Sequence, residues 1–381
     1  MGPGFFDALS SHSYERLSTN IRSRIPPQKQ RRWLIGIGVF VVISLTLWTL
    51  ARRHIEQETV ASIPEETSEE TCTPPPPPYV PLDHYKYINT LPLIHNDTIP
   101  SLANQRGVFT SLYSNSFALA VAVLGHSVRK ANNNARLIVP YIASQVSDGA
   151  LCVVKSVGWE PHAVPLLPPP HNSEGISDRF RDQYTKLRIW SLGDELGIKS
   201  AVYLDADTLV LRNFDELFDL PWELGATTDV YGDDRGFAIT FNAGVLAFRP
   251  SKETFEKMTN ELETANYPPE QAEQAFLNLY FGAKVLRLPY MYNGNMAVKY
   301  RSSEVWKEIV DEMRVLHYTT VKPFWDWYVP NEELVTPERT REIIQARLRD
   351  NDFFKDEINW WKEIFEELMQ EKEQDIRACY L

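Results

Sequence analysis

The chain is predicted to fold as an α/β domain around a mixed, mostly parallel sheet, preceded by one transmembrane helix and an extended stem. Three observations carry this expectation. Residues 33–51 form an uninterrupted apolar run, and residues 52–105 are crowded with Glu, Thr, Ser and Pro. From Gly107 onward, short apolar strand-like segments alternate with helical patterns.

The run WLIGIGVFVVISLTLWTLA, Trp33 to Ala51, holds no charge and no proline. Wound as a helix it spans about 28 Å, close to the hydrocarbon thickness of a bilayer. Arg31, Arg32 and Trp33 on one side, and Trp48, Arg52 and Arg53 on the other, supply interfacial anchors. The late start and the length disfavour a cleaved signal peptide. The tail at 1–32 carries Arg22, Arg24, Lys29, Arg31 and Arg32, whereas Glu56, Glu58, Glu65, Glu66, Glu69 and Glu70 follow the span. The positive-inside bias therefore predicts a single-pass, type II protein of the Golgi or endoplasmic reticulum membrane, with a cytoplasmic tail and a lumenal head. In that setting Asn96-Asp97-Thr98 is a legal glycosylation sequon. The stem, 52–105, includes the proline run Pro74 to Pro78 and reads as a stiff polyproline spacer.

The head is expected at 106–330. Val108–Ser114, Arg136–Val139 and Ala201–Leu204 read as strands; Ser116–Lys130, Asp148–Val157 and Arg179–Leu192 read as helices. Residues 331–381 form a charged helical extension whose segment Glu357–Glu371 alternates aromatic and acidic residues, the pattern of a packing helix. The 381 residues carry a net charge of −12, so a nucleic-acid partner, which needs a basic footprint, is excluded. Three cysteines, Cys72, Cys152 and Cys379, imply no disulfide framework. Cys152 reads as a core thiol; Cys72 is open to pairing between chains in an oxidising lumen or to remaining free.

Ligands of such sheets sit beyond the carboxyl ends of the strands. There Ala201-Val-Tyr-Leu204 runs into Asp205-Ala206-Asp207. Two carboxylates separated by one small residue can face one point, and Mg²⁺ or Mn²⁺ takes one or two carboxylates together with substrate phosphates. Such a cation stabilises charge on a departing diphosphate.

YLDADTLVLRNFDELF (Tyr203 to Phe218) resembles the metal-binding segment of the glycogenin-like glycosyltransferases, the eighth glycosyltransferase family. Further blocks match in the same order: VLGHSV from Val123, YTKLRIWSL from Tyr184, FNAGVLAFRPS from Phe241, EQAFLNLYF from Glu273, LPYMYN from Leu288 and LHYTTVKPFW from Leu316. The resemblance spans about 107–328. It implies one Rossmann-like nucleotide-sugar-binding domain that transfers sugars from UDP-sugars with retention, usually with Mn²⁺. On these matches Asp205, Asp207 and His317 are the metal ligands, with Ala206 beside the donor. Lys186, Asn242 and Lys322 contact the donor, Lys322 at its diphosphate. Ser111, Ser114 and Phe117 lie in the segment that occupies the uracil-binding loop. Glu270 is placed on the donor side, and Glu273 and Gln274 at the reacting centre. Glu270, Glu273 and Gln274 share one face if that stretch is helical. The family usually has a glycine between the histidine and the lysine, and one more residue; here Thr319-Thr320 stand there, which alters the loop at the diphosphate. The family's usual Asp is replaced by Glu273, one methylene longer. Tyr300 stands where glycogenin carries its self-glucosylated tyrosine; packing or acceptor contact is favoured for it here.

The function implied is a retaining, metal-dependent transferase moving a sugar from a UDP-sugar to a glycan, lipid or protein acceptor in the secretory pathway. The alternative is a catalytically inactive lumenal carbohydrate-binding or scaffold protein of the same fold. A two-metal phosphohydrolase lacks its further carboxylates and histidines.

Overall fold

The computed structural model describes residues 102–381. The tail, the apolar run at 33–51, nearly all of the stem, Cys72 and the Asn96 sequon lie outside the described residues. Among the described residues no helix is long and apolar enough to cross a membrane.

The strands are β1 (Arg106–Phe109), β2 (Arg136–Tyr141), β3 (Trp159–Ala163), β4 (Ser200–Leu204), β5 (Thr208–Val210), β6 (Leu224–Val230), β7 (Phe237–Phe248), β8 (Leu286–Leu288), β9 (Gly294–Asn295) and β10 (Val315–His317). Seven form one sheet in the order β3-β2-β1-β4-β7-β6-β8, and three form a second in the order β5-β10-β9. Val108 of β1 lies between Leu137 and Val202 of its parallel neighbours β2 and β4. Only β7 runs against its neighbours β4 and β6, so the main sheet is mixed and mostly parallel, as expected.

Period-two alternation sends successive residues to opposite faces. Val108, Val139 and Val202 enter one core with α1 (Ala118–Lys130) and α2 (Asp148–Ser156). Phe109, Ile138 and Tyr203 enter the other with α3 (Ile189–Glu195), α4 (Lys252–Leu262) and α5 (Ala272–Phe281). Gly125 lets α1 approach β3: a Cβ there would lie 2.3 Å from the Trp159 indole nitrogen, which donates to Val121 O at 2.8 Å. Side-chain oxygens of Ser147 and Ser251 cap α2 and α4. Each such cap stabilises its helix by about 1 kcal/mol.

Two elements differ in detail from expectation. The first strand ends at Phe109, and the chain then leaves the sheet, with Leu112 keeping an isolated parallel bridge to Tyr141. The segment Asp178–Arg188 winds as 3₁₀ turns before α3. Tyr184, Thr185, Lys186 and Leu187 are all buried in sequence there, rather than along one helical stripe.

The C-terminal extension belongs to the same core. After α6 (Met296–Arg301) and α7 (Ser303–Val310), α8 (Pro337–Asp350) and α9 (Lys355–Ala378) close the chain. Ile358, Trp361 and Phe365 of α9 join the core beside α1, so the predicted packing helix packs. At its start the buried Glu357 pairs with Lys299 at 2.8 Å, and its carbonyl accepts the Tyr318 hydroxyl at 2.8 Å. The helix thereby braces the end of β10.

The cysteine expectation is corrected. Cys152 is exposed rather than a core thiol, and it is disulfide-bonded to Cys379 across 227 residues. Helical spacing puts Cys152 on the outer face of α2, and α9 packs against α2 so that Cys379 arrives beside it. Cys152→Ser is expected to lower stability by about 2–4 kcal/mol, since closing a long loop restricts the unfolded chain. Thermal melts with and without reductant measure this; a reductant-insensitive melting point would contradict it.

Candidate active site

The site lies where β4, β7 and β10 meet. Asp205 N donates to Gly244 O at 2.8 Å, and Tyr318 N donates to Asp207 O at 2.9 Å. These backbone bonds fix the Asp205-Ala206-Asp207 turn between the two neighbouring strands. His317, at the end of β10, is 4% exposed. Its Nε2 lies 3.3 Å from Asp207 Oδ1 and 4.0 Å from Asp205 Oδ2. One ligand atom from each of Asp205, Asp207 and His317 lies within 4.8 Å of the others. Two carboxylate oxygens and one imidazole nitrogen fit Mn²⁺ well and Mg²⁺ less well, because Mg²⁺ favours an all-oxygen shell.

Cations flank this corner. Lys322 Nζ is 2.6 Å from Asp207 Oδ2 and donates to Tyr318 O at 2.9 Å. Burial alone would raise the Asp207 pKa, but Lys322 and His317 outweigh it and hold the carboxyl well below the usual range. Lys186 is 2% exposed and bridges Asp205 at 3.1 Å and Glu273 at 2.7 Å. Burial opposes its charge, yet the two carboxylates outweigh that and hold its pKa above the ordinary lysine range. Burial pushes Glu273 above the usual carboxylate range, against the pull of Lys186.

An amide network lies behind the carboxylate–histidine corner. Gln274 donates to Asp229 Oδ2 at 2.8 Å and accepts from Ala243 N at 3.0 Å. Asn242 donates to Asp229 Oδ1 at 3.1 Å, and its oxygen accepts from Gly244 N and from Asn293. Asn293 Oδ1 meets His317 Nδ1 at 3.0 Å.

The structure brings together Asp205, Asp207, His317, Lys186, Lys322, Asn242, Glu273 and Gln274, with Ala206 half-buried at the turn. Ser111 joins through Tyr203, whose hydroxyl lies 3.3 Å from Ser111 Oγ and donates to Asp205 Oδ1 at 2.8 Å. Ser114 and Phe117 instead contact Ser116 and Phe324. Glu270 corrects the shared-face expectation. It is exposed on the 3₁₀ turn Pro269–Gln271, and Ala272, at φ 50°, breaks the helix phase before Glu273. Tyr300 is 63% exposed near the end of α6, so it is not a core packing residue. Tyr203, Asp229 and Asn293 carried no sequence-based role. Asn293 closes the LPYMYN block, and a carboxylate near the end of an apolar strand, as in Ala226-Thr-Thr-Asp229-Val230, was the available signal for Asp229.

A second acidic group, His126 with Glu367 and Glu371, presents opposite ring nitrogens to the two carboxylates, at 3.8 and 3.9 Å. Lys130 already pairs with Glu367. This is an ion-paired helix surface.

Gly244 sets the depth of the corner, because a Cβ there would lie 2.2 Å from His317 Cε1 and 2.9 Å from Asn242 Oδ1. Gly244→Ala is expected to displace the imidazole and lower turnover by about 10²-fold, the usual scale for a 1 Å misplacement. Steady-state kinetics beside a circular dichroism melt measure this; unchanged kcat would contradict it.

The sequence matches Glycosyl transferase family 8 over residues 109–328. It is 28% identical over 280 residues to inositol phosphorylceramide glucuronosyltransferase 1 of Arabidopsis thaliana, covering 67% of this chain and 48% of that protein. It is 31% identical over 241 residues to glycogenin-1 of Homo sapiens, covering 60% of this chain and 65% of that one. It is 30% identical over 215 residues to galactinol synthase 1 of Solanum lycopersicum, covering 51% and 63%. The chain thus spans between about half and two thirds of the length of these relatives. Among solved structures, the apo glycosyltransferase GlyE of Streptococcus pneumoniae TIGR4 aligns with a TM-score of 0.43 and 18% identity, covering 70% of this chain and 63% of that one. With a family match that takes in more than half of its length, and the whole carboxylate–histidine corner within it, the chain belongs to glycosyl transferase family 8.

Proposed function

We propose that this protein is a retaining, metal-dependent glycosyltransferase that moves a hexosyl group from a UDP-sugar to a carbohydrate, lipid or protein acceptor in the secretory-pathway lumen. The convergence of Asp205, Asp207 and His317 beside Lys322 carries this reading. These three residues would hold Mn²⁺, which when bound supplies positive charge against the diphosphate of the donor.

The chain's own groups do the rest. Lys322 turns from Asp207 to the diphosphate oxygens and neutralises charge that grows as the sugar leaves. Lys186 holds Asp205 in place and neutralises Glu273, whose side chain is only 7% exposed. A carboxylate so enclosed and paired acts as an electrostatic partner, not as a nucleophile. The bond from the anomeric carbon to the diphosphate oxygen breaks as the acceptor oxygen bonds to that carbon. The hydroxyl proton passes to the departing diphosphate. Gln274 and Asn242, oriented by Asp229, line the sugar side.

A lumenal setting is supported by the Cys152–Cys379 disulfide, since such bonds persist in oxidising compartments. The apolar run at 33–51 is the proposed anchor. The inositol phosphorylceramide relative makes a membrane lipid one acceptor class to try first.

The test is UDP release by the purified full chain offered UDP-glucose, UDP-galactose, UDP-N-acetylglucosamine and UDP-glucuronic acid, with Mn²⁺ or with chelator. Release from one of these donors, abolished by chelator, is the expected result. Binding of UDP without release from any donor, even with lipid and glycan acceptors added, would favour the inactive carbohydrate-binding alternative.

A further inference from the structure

We propose that Asp229 is a positioning residue that sets the proton of His317 through a two-amide relay. The inference rests on the reading of Asp205, Asp207 and His317 as a metal corner, and it deepens that reading.

The relay follows from which atoms can donate. Asp229 is 3% exposed on β6, and its neighbours present donors: Val230 N at 2.9 Å, Asn242 Nδ2 at 3.1 Å, Asn295 Nδ2 at 3.4 Å and Gln274 Nε2 at 2.8 Å. A carboxylate is an acceptor-only group, so it turns the NH₂ of Asn242 toward itself. Gly244 N, donating to Asn242 Oδ1 at 2.9 Å, enforces the same orientation from the other end. Asn242 therefore offers an acceptor to Asn293, whose Nδ2 donates at 3.0 Å. That leaves Asn293 Oδ1 facing His317 Nδ1 at 3.0 Å. An amide oxygen accepts only, so Nδ1 carries the hydrogen, and Nε2 can present its lone pair toward Asp205 and Asp207. Each member is at least nine-tenths buried, so water does not compete for these bonds. No hydrogen bond joins Asp229 to His317 itself; it acts through two amides.

The direction of the relay depends on its acceptor end. Asp229→Asn keeps the shape but lets the residue at that position donate as well as accept. Asn242 is then held by Gly244 and by an amide that can present either its oxygen or its NH₂, and the chain toward His317 loosens. Asn293→Asp gives up the donor to Asn242 Oδ1 but supplies His317 with an acceptor that needs no orienting, and so bypasses Asp229.

Two measurements on the full chain test this. The first is ¹⁵N NMR of histidine-labelled protein in mildly alkaline buffer without metal, with the His317 signals identified by their loss in His317→Gln. In the native chain Nδ1 is expected to carry the hydrogen. In Asp229→Asn the signals are expected to shift toward a mixture of both tautomers. A native Nδ1 without hydrogen would overturn the proposal with no variant needed. The second is Mn²⁺ titration followed by electron paramagnetic resonance. Asp229→Asn is expected to weaken Mn²⁺ binding by about 10-fold, the lower end for groups that orient a metal ligand. The double variant Asp229→Asn, Asn293→Asp is expected to restore it. Native-like tautomer and affinity in Asp229→Asn would overturn the relay. Absence of Mn²⁺ binding by the native chain would instead overturn the metal reading, while the NMR arm still decides the relay.

Discussion

Asp207→Asn is expected to lower metal-dependent transfer by roughly 10²–10³-fold while leaving the fold intact. Asp207 is the residue on which the corner converges, with His317 Nε2 at 3.3 Å and Lys322 at 2.6 Å. On the proposed reading its carboxylate would supply one of the two negative charges that hold a cation, and several kcal/mol of leaving-group stabilisation would depend on that cation. Asparagine has the same shape, and Lys322 reaches solvent, so the released lysine rehydrates without unfolding its surroundings. The measurement is UDP-sugar turnover at several Mn²⁺ concentrations beside a thermal melt. Turnover within tenfold of native at the same Mn²⁺ would sink the metal assignment.

Lys186→Met is expected to act first on stability. The native ammonium sits between Asp205 and Glu273 and over the Tyr203 ring at 4.9 Å. Methionine fits the space but leaves Glu273 enclosed and uncompensated. Removing one partner of a buried pair costs about 3–5 kcal/mol, much more than the pair contributes relative to an apolar replacement of both. For a domain of this size that corresponds to a melting point lower by about 10 °C. Adding Glu273→Leu to Lys186→Met is expected to recover part of the loss, because no buried charge is then left alone. A melting point within 2 °C or so of native for Lys186→Met would show that solvent reaches Glu273.

How much of this was legible in the sequence depends on how local each feature is. Asp205 and Asp207 follow an apolar strand directly, so their placement needs only the rule that ligands gather beyond strand ends. His317 and Lys322 needed the ordered blocks, because no spacing rule links β4 to β10 across a hundred residues. The Glu270 face failed because periodicity assumes an unbroken helix, and one positive φ at Ala272 resets the phase. The disulfide failed for a related reason. Cys152 looked like a core residue in an apolar stretch, but it lies on the exposed side of α2, and only α9 packing brings Cys379 to it. The amide network was legible only in part. The family blocks mark Asn242 and Gln274, but Asp229 on β6 and the neighbouring Asn293 and Asn295 join them only after the antiparallel β7 has inserted between β4 and β6.

The central claim is that Asp205, Asp207 and His317 form one cation site that serves a nucleotide diphosphate. Calorimetric titration of UDP into the full chain, with and without Mn²⁺, tests it most directly. UDP is expected to bind at least tenfold more tightly with Mn²⁺, and Mn²⁺ correspondingly more tightly with UDP, because coupling between two ligands of one site is reciprocal. That coupling is expected to vanish in Asp207→Asn. UDP affinity independent of Mn²⁺ in the native chain would contradict the account.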